Sequence, residues 1–112
     1  MPRVTEQALF ILASLARGEL HGYGIARDVE ELSNGSVRLT AGTLYGALNR
    51  LTEDGLVAQT REQVVDGRRR RYYRLTSAGQ GALADEAAHR RATAAAISAR
   101  AATAAAPSPR PA

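Results

Sequence analysis

The residue types best suited to chemistry are four consecutive arginines at positions 68–71, which directly follow Asp66-Gly67 and precede two tyrosines. Asp-Gly favours a tight hairpin turn, because both residues tolerate a positive φ. The arginines are therefore predicted at the tip and along one edge of a β-hairpin, where their guanidinium groups can bind phosphate. The alternative is a charged edge that only keeps the hairpin soluble.

The positive charge of the chain is local. Residues 61–74 hold six arginines and two acidic residues, whereas residues 1–60 hold five arginines and seven acidic residues. A local patch of positive charge is typical of a protein that binds the phosphate backbone of a nucleic acid. The charge distribution therefore favours nucleic acid as the partner.

Length and composition exclude several kinds of site. The 112 residues fit one domain with a small core, which a dimer would help to stabilise. The absence of cysteine excludes disulfides, thiolate metal sites and a cysteine nucleophile, and is compatible with the cytoplasm. We predict no metal and no cofactor, because His21 and His89 lie far apart without a cluster of carboxylates. The apolar stretch over residues 8–16 is too short to span a membrane.

Motifs typical of enzymes are missing from the sequence. It contains no Gly-rich phosphate loop of Walker spacing, no nucleophile elbow and no serine with an evident base beside it. The acidic pairs Glu30-Glu31 and Glu53-Asp54 are adjacent on predicted helices, so the two side chains of each pair point about 100° apart. We therefore predict that the protein is not an enzyme.

Three helices are predicted before the hairpin, from apolar residues at helical spacing and from the residues that bound them. The first follows Thr5 and ends at Gly18, the second follows the HGYG segment and ends at Asn34-Gly35, and the third follows Thr40 and ends at Asp54-Gly55. A very short strand over residues 37–39 is expected between the second and third helices.

The hairpin is predicted over residues 56–65 and 68–75, with Tyr73 on its inner face and Tyr72 on its outer face. Thr76 then caps a fourth, alanine-rich helix. The predicted fold is mainly α with a two-stranded β-wing, in the order α-α-α-β-β-α. This order is the outline of a winged helix-turn-helix with a C-terminal dimerisation helix.

The chain is expected to divide into a DNA-binding domain over residues 1–80, a dimerisation helix over residues 81–106 and a disordered tail over residues 107–112. On the fourth helix, a seam at alternating spacings of four and three residues is rich in alanine. The predicted dimer residues are Leu9 in the first helix and Leu83, Ala87, Ala94 and Ile97 in the fourth. The alternative is that the chain beyond Arg91 is a fraying helix or a linker.

Three segments in separate predicted elements resemble one known family. They are HGYGIARDVEE, VRLTAGTLYGALNRLTEDGLV and GRRRRYYRLTSAGQGAL, and they cover roughly residues 5–84. In this order and spacing they resemble the PadR family of bacterial winged-helix transcription regulators. The resemblance implies a homodimeric repressor, in a family whose members often act on genes for detoxification, drug efflux or phenolic stress.

Some members of that family bind aromatic drugs between their subunits against a tryptophan. This chain has no tryptophan, which counts against a stacking site of that kind. A small hydrophobic or aromatic effector stays open as a further partner.

The third helix carries the residues expected to contact double-stranded DNA. With its leucines facing the core, the outward side presents Thr40, Thr43, Tyr45 and Asn49, and two glycines keep the surface low. Thr43 and Asn49 can hydrogen-bond base edges or phosphates, and Tyr45 can bond a phosphate. The alternatives are that the threonines only cap the helix, that Asn49 is solvated and that Tyr45 is half-buried.

Further DNA contacts are expected at the second helix and at the wing. Tyr23 lies at the start of the second helix, where free backbone N–H groups attract a phosphate. His21 is expected to pack there. The wing is expected to contribute the following residues: Gly67, Arg68, Arg69 and Arg70.

The resemblance implies a repressor, and its operator is predicted to be an inverted repeat, because one short helix and one wing read too few base pairs unless two subunits combine. Two other classes of protein remain possible on the sequence alone. One is a winged-helix protein that binds DNA or RNA without sequence preference. The other is a protein-interaction module with the same fold.

Overall fold

A computed structural model describes residues 4–105. Its helices and strands follow the predicted order, with one short strand added. They are α1 (Glu6–Ser14), a 3-10 turn (Leu15–Arg17), β1 (Leu20–His21), α2 (Gly22–Leu32), α3 (Ala41–Glu53), β2 (Val57–Val65), β3 (Arg68–Leu75) and α4 (Ser77–Ala105). The mainly helical fold with a β-wing is confirmed, and the tail predicted over residues 107–112 lies outside the described residues.

Three of the helices begin at the predicted threonines. The side chain of Thr5 accepts the N–H of Ala8 at 3.1 Å, and that of Thr40 accepts the N–H of Thr43 at 3.2 Å. Thr76 accepts the N–H of Gly79 at 3.0 Å. Each such bond satisfies a backbone donor that the helix leaves free, which is typically worth about 1 kcal/mol.

The predicted strand over residues 37–39 is wrong. The segment pairs with no strand, and instead Val37 donates its backbone N–H to the Ser33 hydroxyl at 2.9 Å and buries its side chain. The hairpin strands β2 and β3 are instead joined by the short strand β1, which pairs with β3 through Leu20 opposite Tyr73 and His21 opposite Tyr72. The sheet is antiparallel throughout, in the order β1-β3-β2.

The hairpin has the predicted bounds to within one residue. Its turn places Asp66 at φ 51° and Gly67 at φ 75°, which is the left-handed geometry expected of Asp-Gly. Tyr73 is buried on the inner face, as predicted. Tyr72, predicted on the outer face, is half-buried there because His21 and Arg61 lie against its ring.

The core lies where the first three helices meet the base of the sheet. Its buried side chains are Ile11, Leu12, Leu15, Ile25, Val29, Val37, Leu44, Leu48, Leu51, Leu56, Val57 and Tyr73. The apolar spacings predicted for α1, α2 and α3 supply most of this set. The leucine face of α3 is buried in it, so the opposite face of that helix is available for contact.

The start of α4 is fixed to the hairpin by a close approach at Gly79. A Cβ at this position would overlap with the backbone carbonyl of Leu56 and with the side chain of Leu75, so only glycine fits. One turn later, Leu83 packs against the hydrophobic core. Since α4 begins at Ser77, the boundary predicted between residues 80 and 81 falls within this helix.

Beyond Arg90, every described residue of α4 is exposed. The whole helix of 29 residues is about 44 Å long at the usual rise per residue. Before the helix leaves the core, buried Glu86 pairs with Arg90 at 3.4 Å. No helix within residues 4–105 combines the length and apolar character needed to cross a membrane.

Candidate nucleic-acid interface

The wing carries its arginines on both faces of β3. Arg69 and Arg71 share one face with Glu62, which pairs with them at 3.7 Å and 3.3 Å. Arg68 and Arg70 lie on the other face, and within the described part of the chain neither forms an ion pair. The backbone at Gly67 is open, since a Cβ there would meet no atom within 4 Å. The tip therefore presents positive charge and accessible backbone together.

Arg61, at the base of the wing, is held within the protein. Its Nε donates to the Glu19 carboxylate at 2.8 Å, and its guanidinium lies 3.9 Å from the centre of the Tyr72 ring. The Thr60 hydroxyl donates to the same carboxylate at 2.6 Å. The hydrogen bonds from Thr60 and Arg61 lower the pKa of the Glu19 carboxyl. Sequence reasoning counted Arg61 only as part of the positive patch, but the structure uses it to fix the base of the wing.

His21 links the wing to the start of α2. Its ring centre lies 5.4 Å from that of Tyr72 and 6.3 Å from that of Tyr23. Burial lowers the pKa of His21, and the charge of Arg70 lowers it further. The expected packing role of His21 agrees with this position. Tyr23 itself is 70% exposed.

The outward face of α3 is low and polar near its start. Gly42 and Gly46 have open space where a side chain would project. Beside them, Thr43 is exposed, and its hydroxyl accepts a hydrogen bond from Thr40 at 3.0 Å, which leaves its own proton able to donate. Asn49 is exposed on the same side. These groups can approach the edges of bases in a major groove.

Tyr45 lies where α3 meets the start of α2. It is 37% exposed, so the alternative of a half-buried ring holds in part. A Cβ at Gly22 would overlap with the Tyr45 hydroxyl, so the first glycine of the HGYG segment makes room for this ring. The contact spans two elements, and the sequence pattern gave no signal for it.

Two concave surfaces flank α3. A groove of about 850 Å³ separates it from the start of α1, and the charged residues in its lining are Glu6, Arg50 and Asp54. A cleft of about 370 Å³ separates it from α2 and has Tyr23, Arg27, Glu30, Arg38 and Tyr45 in its lining. The net formal charge of the lining residues is therefore negative in the groove beside α1 and positive in the cleft beside α2. Sequence reasoning missed Arg27 and Arg38, because only the fold places them beside the two tyrosines.

The predicted dimer residues occupy two different environments. Leu83 packs on its own core and Leu9 is half-buried, whereas Ala87, Ala94 and Ile97 are exposed. Ile97 is 63% exposed on the part of α4 that leaves the core. Their role in dimerisation stays a prediction, as do the DNA contacts assigned to individual residues.

Within residues 4–105, no three potential ligand side chains are grouped to hold a metal ion.

Comparison with known proteins gives consistent results. The model of the transcriptional regulator PadR-like family matches residues 11–85. The transcriptional regulator Rv3488 of Mycobacterium tuberculosis is 45% identical over 78 residues, which are 70% of this chain and 69% of that protein.

Solved structures show the same architecture. The fold is similar to a PadR family transcription regulator from Clostridium difficile, with a TM-score of 0.71 and 25% identity over 84% of this chain and 96% of that one. It is also similar to Bacillus subtilis PadR in complex with operator DNA, with a TM-score of 0.61 and 28% identity, over 70% of this chain and 44% of that one.

Proposed function

The chain belongs to the PadR-like family of transcriptional regulators, and from this premise we propose that it is a repressor that binds an inverted-repeat operator as a homodimer. Membership makes it a regulator of transcription and not an enzyme. The repressor role, the operator symmetry and the dimer are the proposed parts. As a regulator of transcription, it is expected to act in the cytoplasm.

The observation that carries the proposal is the exposed face of α3, where Thr43 lies beside two open glycines. In the proposed complex this face enters the major groove, and Thr40, Thr43 and Asn49 contact DNA there. Tyr23 and Tyr45 bond backbone phosphates. The wing, through Gly67, Arg68, Arg69 and Arg70, binds the adjacent backbone. Bacillus subtilis PadR, a protein of similar fold, has been solved in complex with operator DNA, which supports DNA as the partner of this fold.

A homodimer is proposed because two copies of α3 can read two half-sites. In a two-fold dimer, recognition helices about 34 Å apart match successive major grooves on one side of the duplex. The exposed part of α4, with Ala94 and Ile97, offers a surface for the partner. We propose that this part forms the dimer with support from α1, while the preceding winged-helix domain binds DNA.

A small hydrophobic or aromatic effector is the proposed signal for release. The groove between α1 and α3 has the volume of a small-molecule site, and Ala8, Ala47, Leu51 and Leu56 contribute to its lining. A ligand there would lie against Thr43, on the face proposed to contact DNA. Such a ligand would compete with the operator directly.

The proposal is tested by footprinting the purified protein on the promoter regions beside its own gene. A repressor of this type should protect one inverted repeat, and it should prefer that repeat to random duplex by roughly 10³-fold or more. Equal protection of all duplexes would favour a non-specific nucleic-acid-binding protein. A complete lack of salt-sensitive binding would favour a protein-interaction module.

Removal of the Thr43 hydroxyl should reduce selectivity. Thr43→Ala keeps the leucine face and the Thr40 cap, because Thr40 bonds the backbone N–H of residue 43. We expect operator affinity to fall by about 1–3 kcal/mol, with a smaller loss on random duplex. Tyr45→Phe should instead weaken both DNAs by similar factors, since a phosphate contact carries no sequence information.

Binding isotherms on operator and random duplex measure both effects. The matched control is Thr52→Ala, the same substitution near the opposite end of α3, where the hydroxyl bonds the Leu48 carbonyl. Wild-type affinity for both the Thr43 and the Tyr45 variants would show that α3 does not read the operator.

A further inference from the structure

The cleft between α2 and the start of α3 gathers groups that bind anions. Two arginines, Arg27 and Arg38, and two tyrosines, Tyr23 and Tyr45, contribute to its lining, together with the carboxylate of Glu30. Guanidinium and phenol groups can all donate to an oxyanion. Two positive charges face one negative charge, so the cleft carries net positive charge before DNA arrives.

We propose that this cleft holds one phosphate of the DNA backbone, and that the Glu30 carboxylate takes the place of that phosphate at Arg38 when DNA is absent. The inference rests on the proposed function, because it adds a contact within the DNA-binding surface. It assigns Arg27 and Arg38 to binding and Glu30 to competition with DNA.

Arg38 is placed for this role by the end of α2. The Ser33 hydroxyl accepts the N–H of Val37 at 2.9 Å and lies 3.2 Å from the Glu30 carbonyl and 3.4 Å from that of Val37. Val37 is buried, which fixes the backbone immediately before Arg38. Two residues later Thr40 caps α3, so the positive end of the α3 dipole lies near the same cleft.

The ion pair between Glu30 and Arg38 is suited to exchange. Glu30 Oε1 lies 3.4 Å from Arg38 Nε, and the side chains of Arg38 and Glu30 are 77% and 49% exposed. Exposed pairs of this kind contribute little to stability, whereas phosphate offers more oxygen acceptors and more negative charge to the same guanidinium. A phosphate can therefore displace the carboxylate without disturbing the core.

Arg27 can bind the phosphate without breaking an ion pair within the described part of the protein. Among residues 4–105 it forms no ion pair, and it lies on α2 four residues after Tyr23. Residues at this spacing share one side of a helix. Tyr23 and Arg27 can therefore contact the same stretch of DNA backbone, and Arg38 and Tyr45 contribute to the lining of the same cleft.

The opposite flank of α3 lacks this chemistry. Its groove has Glu6 and Asp54 beside a single arginine, Arg50, and its lining is otherwise polar or apolar without further charge. A phosphate there would face net negative charge. The asymmetry of charge assigns the backbone phosphate to the α2 side.

The test measures DNA affinity and its dependence on salt for Arg38→Ala, Glu30→Gln and the double variant. Arg38→Ala should weaken operator and random duplex by similar factors and reduce the log-log salt slope by about 0.9, the value for one phosphate contact. Glu30→Gln should strengthen binding to both duplexes by roughly two- to fivefold, since the competing ion pair is gone. In the double variant the gain from Glu30→Gln should vanish.

Two controls separate the cleft from general charge. Glu31→Gln removes the same charge from the next residue, which lies outside the cleft in a crevice that also has Arg27 in its lining. Because Arg38 pairs with Glu30 and not with Glu31, this variant should change affinity much less than Glu30→Gln. Arg17→Ala is the control for Arg38→Ala, because it removes one positive charge from that same crevice and should change affinity and salt slope much less. Arg38→Lys should recover part of the affinity that Arg38→Ala removes, and thermal unfolding should be unchanged in all these surface variants.

The outcomes distinguish the inference from the proposed function. Equal gains in Glu30→Gln and Glu31→Gln, or an unchanged salt slope in Arg38→Ala, would overturn the phosphate cleft while DNA binding by the wild type stands. A gain from Glu30→Gln that persists in the Arg38→Ala background would overturn the exchange. A wild-type protein without salt-sensitive DNA binding would remove the proposed function and the cleft together.

Discussion

The Ile97→Asp variant is expected to sediment as a monomer and to bind the full operator on the order of 10²- to 10⁴-fold more weakly than the wild type. Ile97 is 63% exposed and is the one large aliphatic side chain on the described part of α4 beyond Arg90. If the helices of two subunits pair there, an aspartate would place two carboxylates in an apolar seam without partners. Affinity is then expected to fall because a monomer would bind one half-site at a time, whereas the proposed dimer would bind two linked half-sites.

Residue 97 is a cleaner position for this test than Leu83. Leu83 packs against the core of its own subunit, so its substitution would also disturb the fold. Ala99→Asp is the matched control, because it adds the same charge on the opposite side of the exposed helix, and it should leave the dimer intact. A wild-type protein that is monomeric at micromolar concentration and still selects a single half-site would refute the dimer.

The second large effect is expected at the wing. Arg68→Ala combined with Arg69→Ala should weaken operator and random duplex by similar factors, because phosphate contacts provide affinity without reading sequence. The magnitude of the log-log salt slope should fall by about 0.9 for each phosphate that the variant no longer binds. Arg68 forms no ion pair among the described residues, and Arg69 has only a 3.7 Å contact to Glu62, so little internal structure opposes their use.

Binding measured between low and physiological salt gives both the affinity and the slope. Removing Arg91 and Arg100 together provides the control, since this pair lowers the net charge by the same amount from exposed positions on α4, and sedimentation checks that the oligomeric state of this variant is that of the wild type. The control should change the slope much less. If the wing variant keeps the wild-type affinity and slope, the hairpin is only a soluble edge.

Features that depend on neighbouring residues were predictable from the sequence. A threonine cap acts on a backbone N–H three residues away, and the Asp66-Gly67 turn depends on the φ preferences of its own two residues. The leucine spacing of α3 identified its buried face, and thereby the exposed face that carries Thr43 and Asn49. The helices, the hairpin and the exposed face of α3 that is proposed to contact DNA followed from such local preferences.

The misassigned strand shows where local preference stops. Apolar and polar residues alternate over 37–39, which suits a strand, but a strand needs a partner strand for its backbone hydrogen bonds. Here the backbone N–H of Val37 donates to the hydroxyl of Ser33 instead. Conversely, β1 has only two residues and no recognisable pattern. It exists because Tyr72 and Tyr73, more than fifty residues later, offer their backbone groups for pairing.

The sequence by itself determined the order of the four helices and the hairpin, the location of the positive charge and the exposed face of α3, because each depends on residues within a turn or two. Only the tertiary structure decided that Glu19 holds Arg61, that Gly22 makes room for Tyr45, and that Arg27 and Arg38 share a cleft with two tyrosines. These contacts join segments that are distant in sequence, and their geometry is set by how the helices pack on the sheet. No periodicity or motif within one segment contains that information.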